Sequence, residues 1–537
     1  MTAFDLLIRN GRVVDGSGGP AVAADVAVAG DRIAAVAPPG QLPLESGART
    51  IDASGRLVCP GFVDAHSHSD WSIHTNPGAQ STVRQGITTE VVGNCGLTNA
   101  PVSDLSRDSL RVRLAGFGYH GEVGWSSFGE YLDAVRAMGI SPNLAWFAGH
   151  STVRAAAGVV GARVTPEQRA EMSGLVREAM EAGALGLSSG LEFEPGRTAT
   201  REELADLVAV VGRYGGLYTS HIRNRDAALQ EAVDEFLEVA RAGGARAELS
   251  HLNVRHDTGA APGAWERAVA RMERERRDGL DVLADMTPLR DGIGLLAGVL
   301  PPWVRAGGGA EGARLLRQPE VRERLRTECD RYWRFLHGGQ WERVRLQASA
   351  QYPELNGMSF PEIAAAWGKD EWECLFDILA AAGAEMDDVT GVALLFTDEH
   401  LAQMAAHPLF CFAVDGYTSA VDGPLAGRTR HPLSYSGMVH YLTHHVREQG
   451  TVSLEEGVRK MTSLPAGHFG LRDRGLVRPG YLADLVVLDF QALDDGSTMA
   501  QPLAYCRGVE HVLVNGVPVV EQGEHTGARP GRVLTRA

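Results

Sequence analysis

Eight apolar runs of strand length recur along this chain, separated by helical segments, and nearly every run ends in a polar residue capable of chemistry. They are RLVCPGFVDAH, GITTEVVGNC, NLAWFAGH, GALGLSSG, GLYTSH, ARAELSH, LDVLADMT and LFCFAVDG. Strand-length runs alternating with helices such as TPEQRAEMSGLVREAMEAG predict βαβ units and a parallel sheet. Eight is the number that closes a (β/α)8 TIM-like barrel, an α/β fold with its active face at the C-terminal strand ends. The residues that fall there are His66 and His68, Cys95, His150, Ser189, His221, His251, Thr287 and Asp415.

The two ends of the chain have another texture. LLIRNGRVVDG and ADVAVAGDRIAAVAP near the start, and ADLVVLDF and GVEHVLVNGVPVVEQG near the finish, are short β-rich runs punctuated by Gly, Asp and Pro. They predict a small β-sandwich formed from both chain termini, residues 1–58 and 473–537, bracketing a barrel over 59–472. The stretch 288–408 is too long for one crossover and is expected to be a helical cap inserted over the barrel mouth.

A formal net charge of −16 argues against a nucleic-acid partner or an anionic membrane surface held by charge. The N-terminus has no basic start followed by an apolar core, and no apolar run approaches the roughly 18 residues needed to span a membrane. A cytoplasmic protein is expected. Six cysteines scattered over 537 residues, Cys329 among them, do not make a disulfide framework, which frees one of them to be a ligand.

Asp64, His66 and His68 alternate directly after an apolar run, so all three face one side, with the two imidazoles uppermost. Such a pair can hold a metal ion; a lone His-x-His reads equally well as two loop histidines. Cys95, His221 and His251 close three further runs, and thiolate and imidazole are the ligands that suit zinc. Asp415 closes the eighth run, next to the first in a closed barrel and so beside His66 and His68. Arg223, two residues past His221, shares its strand face and could bind a substrate carboxylate.

PGFVDAHSH at 60–68 resembles the opening motif of the amidohydrolase superfamily. Gly93-Asn94-Cys95-Gly96, Gly149-His150-Ser151, Gly190-Leu191-Glu192, Ser250-His251 and Asp415-Gly416 resemble its D-aminoacylase branch, the N-acyl-D-amino-acid deacylases, nearly end to end. The resemblance implies a zinc-dependent (β/α)8 hydrolase with one tightly bound Zn2+ and room for a second. It implies that His66, His68 and Asp415 flank one metal position and that Cys95, His221 and His251 hold the other, the tighter in the family. Many relatives bridge two metals with a carbamylated lysine, yet the only lysines here are Lys369 and Lys460. Cys95 is the thiolate that would take that place.

The chain also departs from the branch. Leu252-Asn253 stands where His-Lys is expected, Asp285-Met286-Thr287-Pro288 where Tyr-Pro-Tyr is expected, and His221-Ile222-Arg223-Asn224-Arg225 where His-x-Arg-x-Glu is expected. The lysine and tyrosine of that pattern grip the substrate carboxylate, so the candidate substrate-binding set becomes Arg223, Asn253, Thr287, His150 and Glu192, with a supporting role behind a ligand as the alternative for Glu192. The reading is hydrolysis of a small-molecule amide, an N-acyl-D-amino acid or related N-acyl amine, with Asp415 as catalytic acid–base group. A cyclic amide or imide hydrolase of hydantoinase or dihydropyrimidinase type, and a non-catalytic assembly protein of the same fold, stay open. So does a homo-oligomer.

Overall fold

The computed structural model describes residues 4–43, 48–328 and 333–536; Cys329 lies outside them. The eight runs form parallel strands, numbered here β1 (Phe62–Asp64), β2 (Ile87–Val92), β3 (Asn143–Trp146, resumed at Ala148–Gly149), β4 (Gly186–Gly190), β5 (Leu217–His221), β6 (Arg246–Leu249), β7 (Val282–Met286) and β8 (Phe410–Phe412). Each pairs in parallel with the next, in a four-stranded sheet that holds β1, β2 and the first part of β3 and a six-stranded sheet from Ala148–Gly149 to β8. β2, β4, β5 and β7 are buried at every position, as strands covered on both faces must be. Beyond β8 the chain returns to the first strand: Ser67 bridges Gly416 in parallel, and the Asp415 N–H donates to the His66 carbonyl at 2.8 Å. The protein is therefore an α/β fold whose functional strand ends lie on one side.

The helices between the strands start and stop where local chemistry directs. Pro166–Glu181 begins with a reciprocal cap: Thr165 accepts from the Gln168 N–H, and the Gln168 side chain accepts from the Thr165 N–H. Leu229–Gly243 ends on Gly244, whose left-handed φ of 66° closes the last turn.

Both chain ends contribute to one nine-stranded sheet, in which Leu57–Pro60 pairs with Leu485–Leu488 and Leu6–Val13 with Val22–Ala29. Asn515-Gly516 forms a two-residue hairpin between Val509–Val514 and Val517–Glu521, with the positive φ at both positions that this turn requires. The last residues leave this sheet. Val533–Leu534 instead pairs in parallel with Leu144 and Ala145 of β3, along the edge opposite β2. Nor is the long insertion the purely helical cap that the sequence leads one to expect. Asp291–Leu295, Val344–Ala348 and Thr390–Leu394 form an antiparallel three-stranded sheet among its helices. The buried Val344 and Leu346 flanking exposed Arg345 give the two-residue period that marks the strand. Among the described residues no helix is long and apolar enough to cross a membrane.

A buried polar knot joins the terminal sheet to the parallel strands. Asp484 pairs with Arg474 and accepts from the Asn515 N–H at 2.7 Å, while the Asn515 amide donates to Asn143, the first residue of β3, at 2.8 Å. Removing one member of a buried pair leaves the other charge uncompensated. Asp484→Ala is expected to destabilise the fold by about 3–5 kcal/mol, read as a fall in Tm in thermal unfolding.

Candidate metal centre

Six side chains from the strand ends converge. His66 and His68 follow β1, Cys95 follows β2, His221 ends β5, His251 follows β6 and Asp415 follows β8. Cys95 Sγ lies 3.4 Å from His66 Nε2, 3.7 Å from His221 Nδ1 and 3.7 Å from His251 Nε2. Asp415 Oδ1 lies 3.4 Å from His66 Nε2 and 3.3 Å from His68 Nε2, and Oδ2 lies 3.9 Å from His251 Nε2. The atoms fall into two sets, His66–His68–Cys95–Asp415 and Cys95–His221–His251, each with all ligand atoms within 4.8 Å of one another. Tetrahedral ligands at about 2.0–2.3 Å from one ion sit roughly 3.3–3.8 Å apart, so this spacing fits a metal, and thiolate with imidazole is a zinc-type donor set.

Backbone geometry aims these groups. Cys95, His251 and Asp415 each adopt a left-handed φ, 52°, 37° and 56°, which turns the chain sharply inward as it leaves the strand. Non-glycine residues in such wells cost of order 1–3 kcal/mol each, and such strain clusters at functional sites. Gly190 allows the close approach beneath Cys95: a Cβ there would sit 2.2 Å from the Cys95 carbonyl oxygen.

Behind the ligand atoms stand buried acids. Asp285 Oδ2 lies 3.0 Å from His66 Nδ1, and its Oδ1 accepts from the His251 N–H at 2.9 Å. Burial pushes Asp285 up to about 7, and burial together with the charge of Asp285 raises its neighbour Glu248 as well. Glu192 Oε2 lies 2.8 Å from His221 Nε2. Desolvation opposes the charge on Glu192, but Arg255, at 2.8 and 2.5 Å, and His221 hold it well below the usual carboxylate range. Desolvation likewise opposes charge on Asp415, yet His66 and His68 keep it ionised and below its ordinary value. Trp71 stacks on His68 at 4.3 Å between ring centroids, and Phe193 meets His221 edge-on at 4.5 Å.

The expected substrate contacts are mostly elsewhere. Arg223 is turned away from the cluster, with both sides of its guanidinium held by Glu235 at 2.9 and 3.0 Å and by the Arg197 and Ala199 carbonyls. A buried carboxylate on the neighbouring helix outcompetes the open mouth for that charge. His150 binds Glu203 at 2.8 Å together with Arg154, a buried structural pair. Glu192 supports His221 rather than facing open space. Asn253 does adjoin the cluster, accepting from Arg225 Nη1 at 3.2 Å, and Thr287 is buried just past β7. Asp285, Glu248 and Arg225 were missed as site residues. An acid inside the apolar run LDVLADMT was the available signal, because a buried carboxylate needs a partner.

Burial raises the Cys95 thiol well above its ordinary value, and the nearby Asp415 charge adds to this. Without metal the sulfur is therefore protonated at neutral pH, and a thiophilic divalent ion must displace that proton to bind. Apparent metal affinity is expected to rise with pH, about tenfold per unit for each proton released, with acid liberated into weakly buffered solution on titration.

Comparison with known proteins accounts for this arrangement. The amidohydrolase family model matches residues 49–334 and 415–520, leaving out most of the insertion. N-acyl-D-glutamate deacylase of Alcaligenes xylosoxydans xylosoxydans is 32% identical over 99% of this chain and 97% of its own length. A solved D-aminoacylase, studied for the role of its binuclear metal centre, superposes with a TM-score of 0.81 at 29% identity, covering 99% of this chain and 100% of that one. N-acyl-D-glutamate deacylase from Bordetella bronchiseptica, solved with zinc and a phosphonate mimic of the tetrahedral intermediate, gives 0.81 at 29% identity, covering 99% of each chain. With the family model spanning well over half the sequence and the ligand clusters at the strand ends it covers, the chain belongs to the amidohydrolase family.

Proposed function

We propose that this protein is a zinc-dependent hydrolase of the amide bond in an N-acyl-D-amino acid or a related N-acyl amine. The observation that carries the reading is Cys95 standing within both ligand sets, with an ionised Asp415 against the imidazoles of one of them. We also propose that the eight parallel strands close as a (β/α)8 barrel, supported by the hydrogen bonds that join the ends of β8 and β1, and that the terminal strands form its companion β-sandwich.

His66, His68, Cys95 and Asp415 would hold one ion, and Cys95, His221 and His251 a second. Zinc held there would supply the Lewis acidity that polarises the amide carbonyl and lowers the pKa of water toward about 7. Asp415 accepts the proton of the attacking water and delivers it to the departing nitrogen, because an amine leaves far better than an amide anion. Its side chain, 27% exposed among otherwise buried groups, is open to the substrate. Asp285 and Glu192 fix which nitrogen of His66 and His221 faces the ion, by accepting the proton of the other. Trp71 and Phe193 pack against His68 and His221 at the flanks of the centre.

Asp415→Asn preserves shape but cannot accept a proton. It is expected to lower kcat by about 10²- to 10⁴-fold on an N-acetyl-D-amino acid panel while the fold persists by circular dichroism. A drop below about tenfold with metal content unchanged would assign the base elsewhere. Cys95→Ala removes the ligand common to both sets, so zinc is expected to be lost on dialysis against a mild chelator, measured by elemental analysis. Ring opening of cyclic amides without release of a second fragment would favour the hydantoinase-type reading instead.

A further inference from the structure

A metal-ligating imidazole gives a lone pair from one ring nitrogen, so its other nitrogen carries the proton and needs an acceptor. His66 meets this condition through Asp285 and His221 through Glu192, and the buried Nδ1 of His68 has no hydrogen-bond partner among the described residues, neither acceptor nor opposing donor. At His251 a donor opposes it. Its Nε2 faces Cys95, but its Nδ1 lies 3.1 Å from Arg225 Nη1. A guanidinium has donors only, so Nδ1 must accept in this contact, and the proton then sits on Nε2, the atom that would have to bind the ion.

Arg225 is well placed to hold that polarity. It is buried, its Nη1 also donates to Asn253, and its Nη2 lies 3.7 Å from Glu192, a carboxylate already engaged by Arg255. An acid at position 225 would accept from His251 Nδ1–H, whereas arginine inverts the contact. The two ligand sets also differ in charge. His66–His68–Cys95–Asp415 brings a thiolate and a carboxylate, while Cys95–His221–His251 brings only the shared thiolate and has a guanidinium against one imidazole.

We propose that Arg225 sets the order in which the two metal positions of this chain fill: the first zinc binds at His66–His68–Cys95–Asp415, and Cys95–His221–His251 fills only when Arg225 is displaced from His251. This rests on the metal reading above and makes Arg225 a positioning residue acting through His251.

The test is zinc titration of metal-free protein against a competing chromophoric chelator, which needs no substrate. First-zinc affinity is expected to fall at least about tenfold in His68→Ala and less than about threefold in His251→Ala. Arg225→Glu is expected to tighten zinc binding at Cys95–His221–His251 by about 10- to 100-fold, and in that background His251→Ala then costs at least about tenfold. Arg225→Gln, whose amide can accept, should shift the same way and decides the matter if the glutamate variant does not fold. Long-range ¹H–¹⁵N correlation spectra of the metal-free wild type should show His251 protonated on Nε2, unchanged after one equivalent of zinc. A tenfold loss in His251→Ala with none in His68→Ala, a proton on Nδ1, or unchanged affinity in a folded Arg225→Glu would each overturn the proposal. Those results leave the enzyme reading standing, whereas a wild type that binds no zinc removes both.

Discussion

The carboxylate of Asp285 is the contact on which the rest of the centre is built. From the middle of the parallel strands it reaches the ring of His66 past β1 and the backbone N–H of His251 past β6, so one side chain registers two strand ends against each other. A carboxyl so buried carries a desolvation penalty, visible in its upward shift to about 7. Hydrogen bonds to charged groups contribute roughly 1.5–3 kcal/mol each and offset part of it. The same bond also dictates that His66 turns Nε2, not Nδ1, toward Cys95 and Asp415. Stability and chemistry here depend on the same two hydrogen bonds.

Strain is the second constraint. Cys95, His251 and Asp415 come from three different strands, and all leave them through a left-handed residue that is not glycine. A relaxed extension of each strand would carry these side chains outward along the strand axis. The inward turn is held by neighbours on every side: Gly190 packed under Cys95, Asp285 bonded to the His251 N–H, and the His66 carbonyl accepting from the Asp415 N–H. This arrangement places ligand atoms 3.3–3.9 Å apart.

Around that frame the supporting charges are not uniform. Two imidazoles back onto acids, one onto a guanidinium, and His68 Nδ1 onto no hydrogen-bond partner among the described residues, although all four histidines look alike as residue types. Arg225 and Asn253 occupy positions where the resemblance leads one to expect an acid and a lysine, and they contact each other at 3.2 Å. Arg223, which strand parity favoured as the substrate-facing base, is held by Glu235 on the following helix.

Periodicity alone made the eight parallel strands legible, because burial on both faces demands unbroken apolar runs, and the polar residue closing each run marked the functional end. The convergence of His66, His68, Cys95, His221, His251 and Asp415 was readable for the same reason: residue type and strand position are local properties. What lay beyond the sequence was everything set by orientation between elements. Which nitrogen of each histidine faces the centre depends on Asp285, Glu192 and Arg225, which come from other segments of the chain. Whether Arg223 points to the mouth or to a helix depends on Glu235, twelve residues away and one element later. The three-stranded sheet in the insertion was likewise hidden, since its strands lie about fifty residues apart and only long-range pairing pays the entropy of joining them. Strand alternation is written into neighbouring residues, but hydrogen-bond polarity is decided only when distant side chains are brought within about 3 Å and must share their protons.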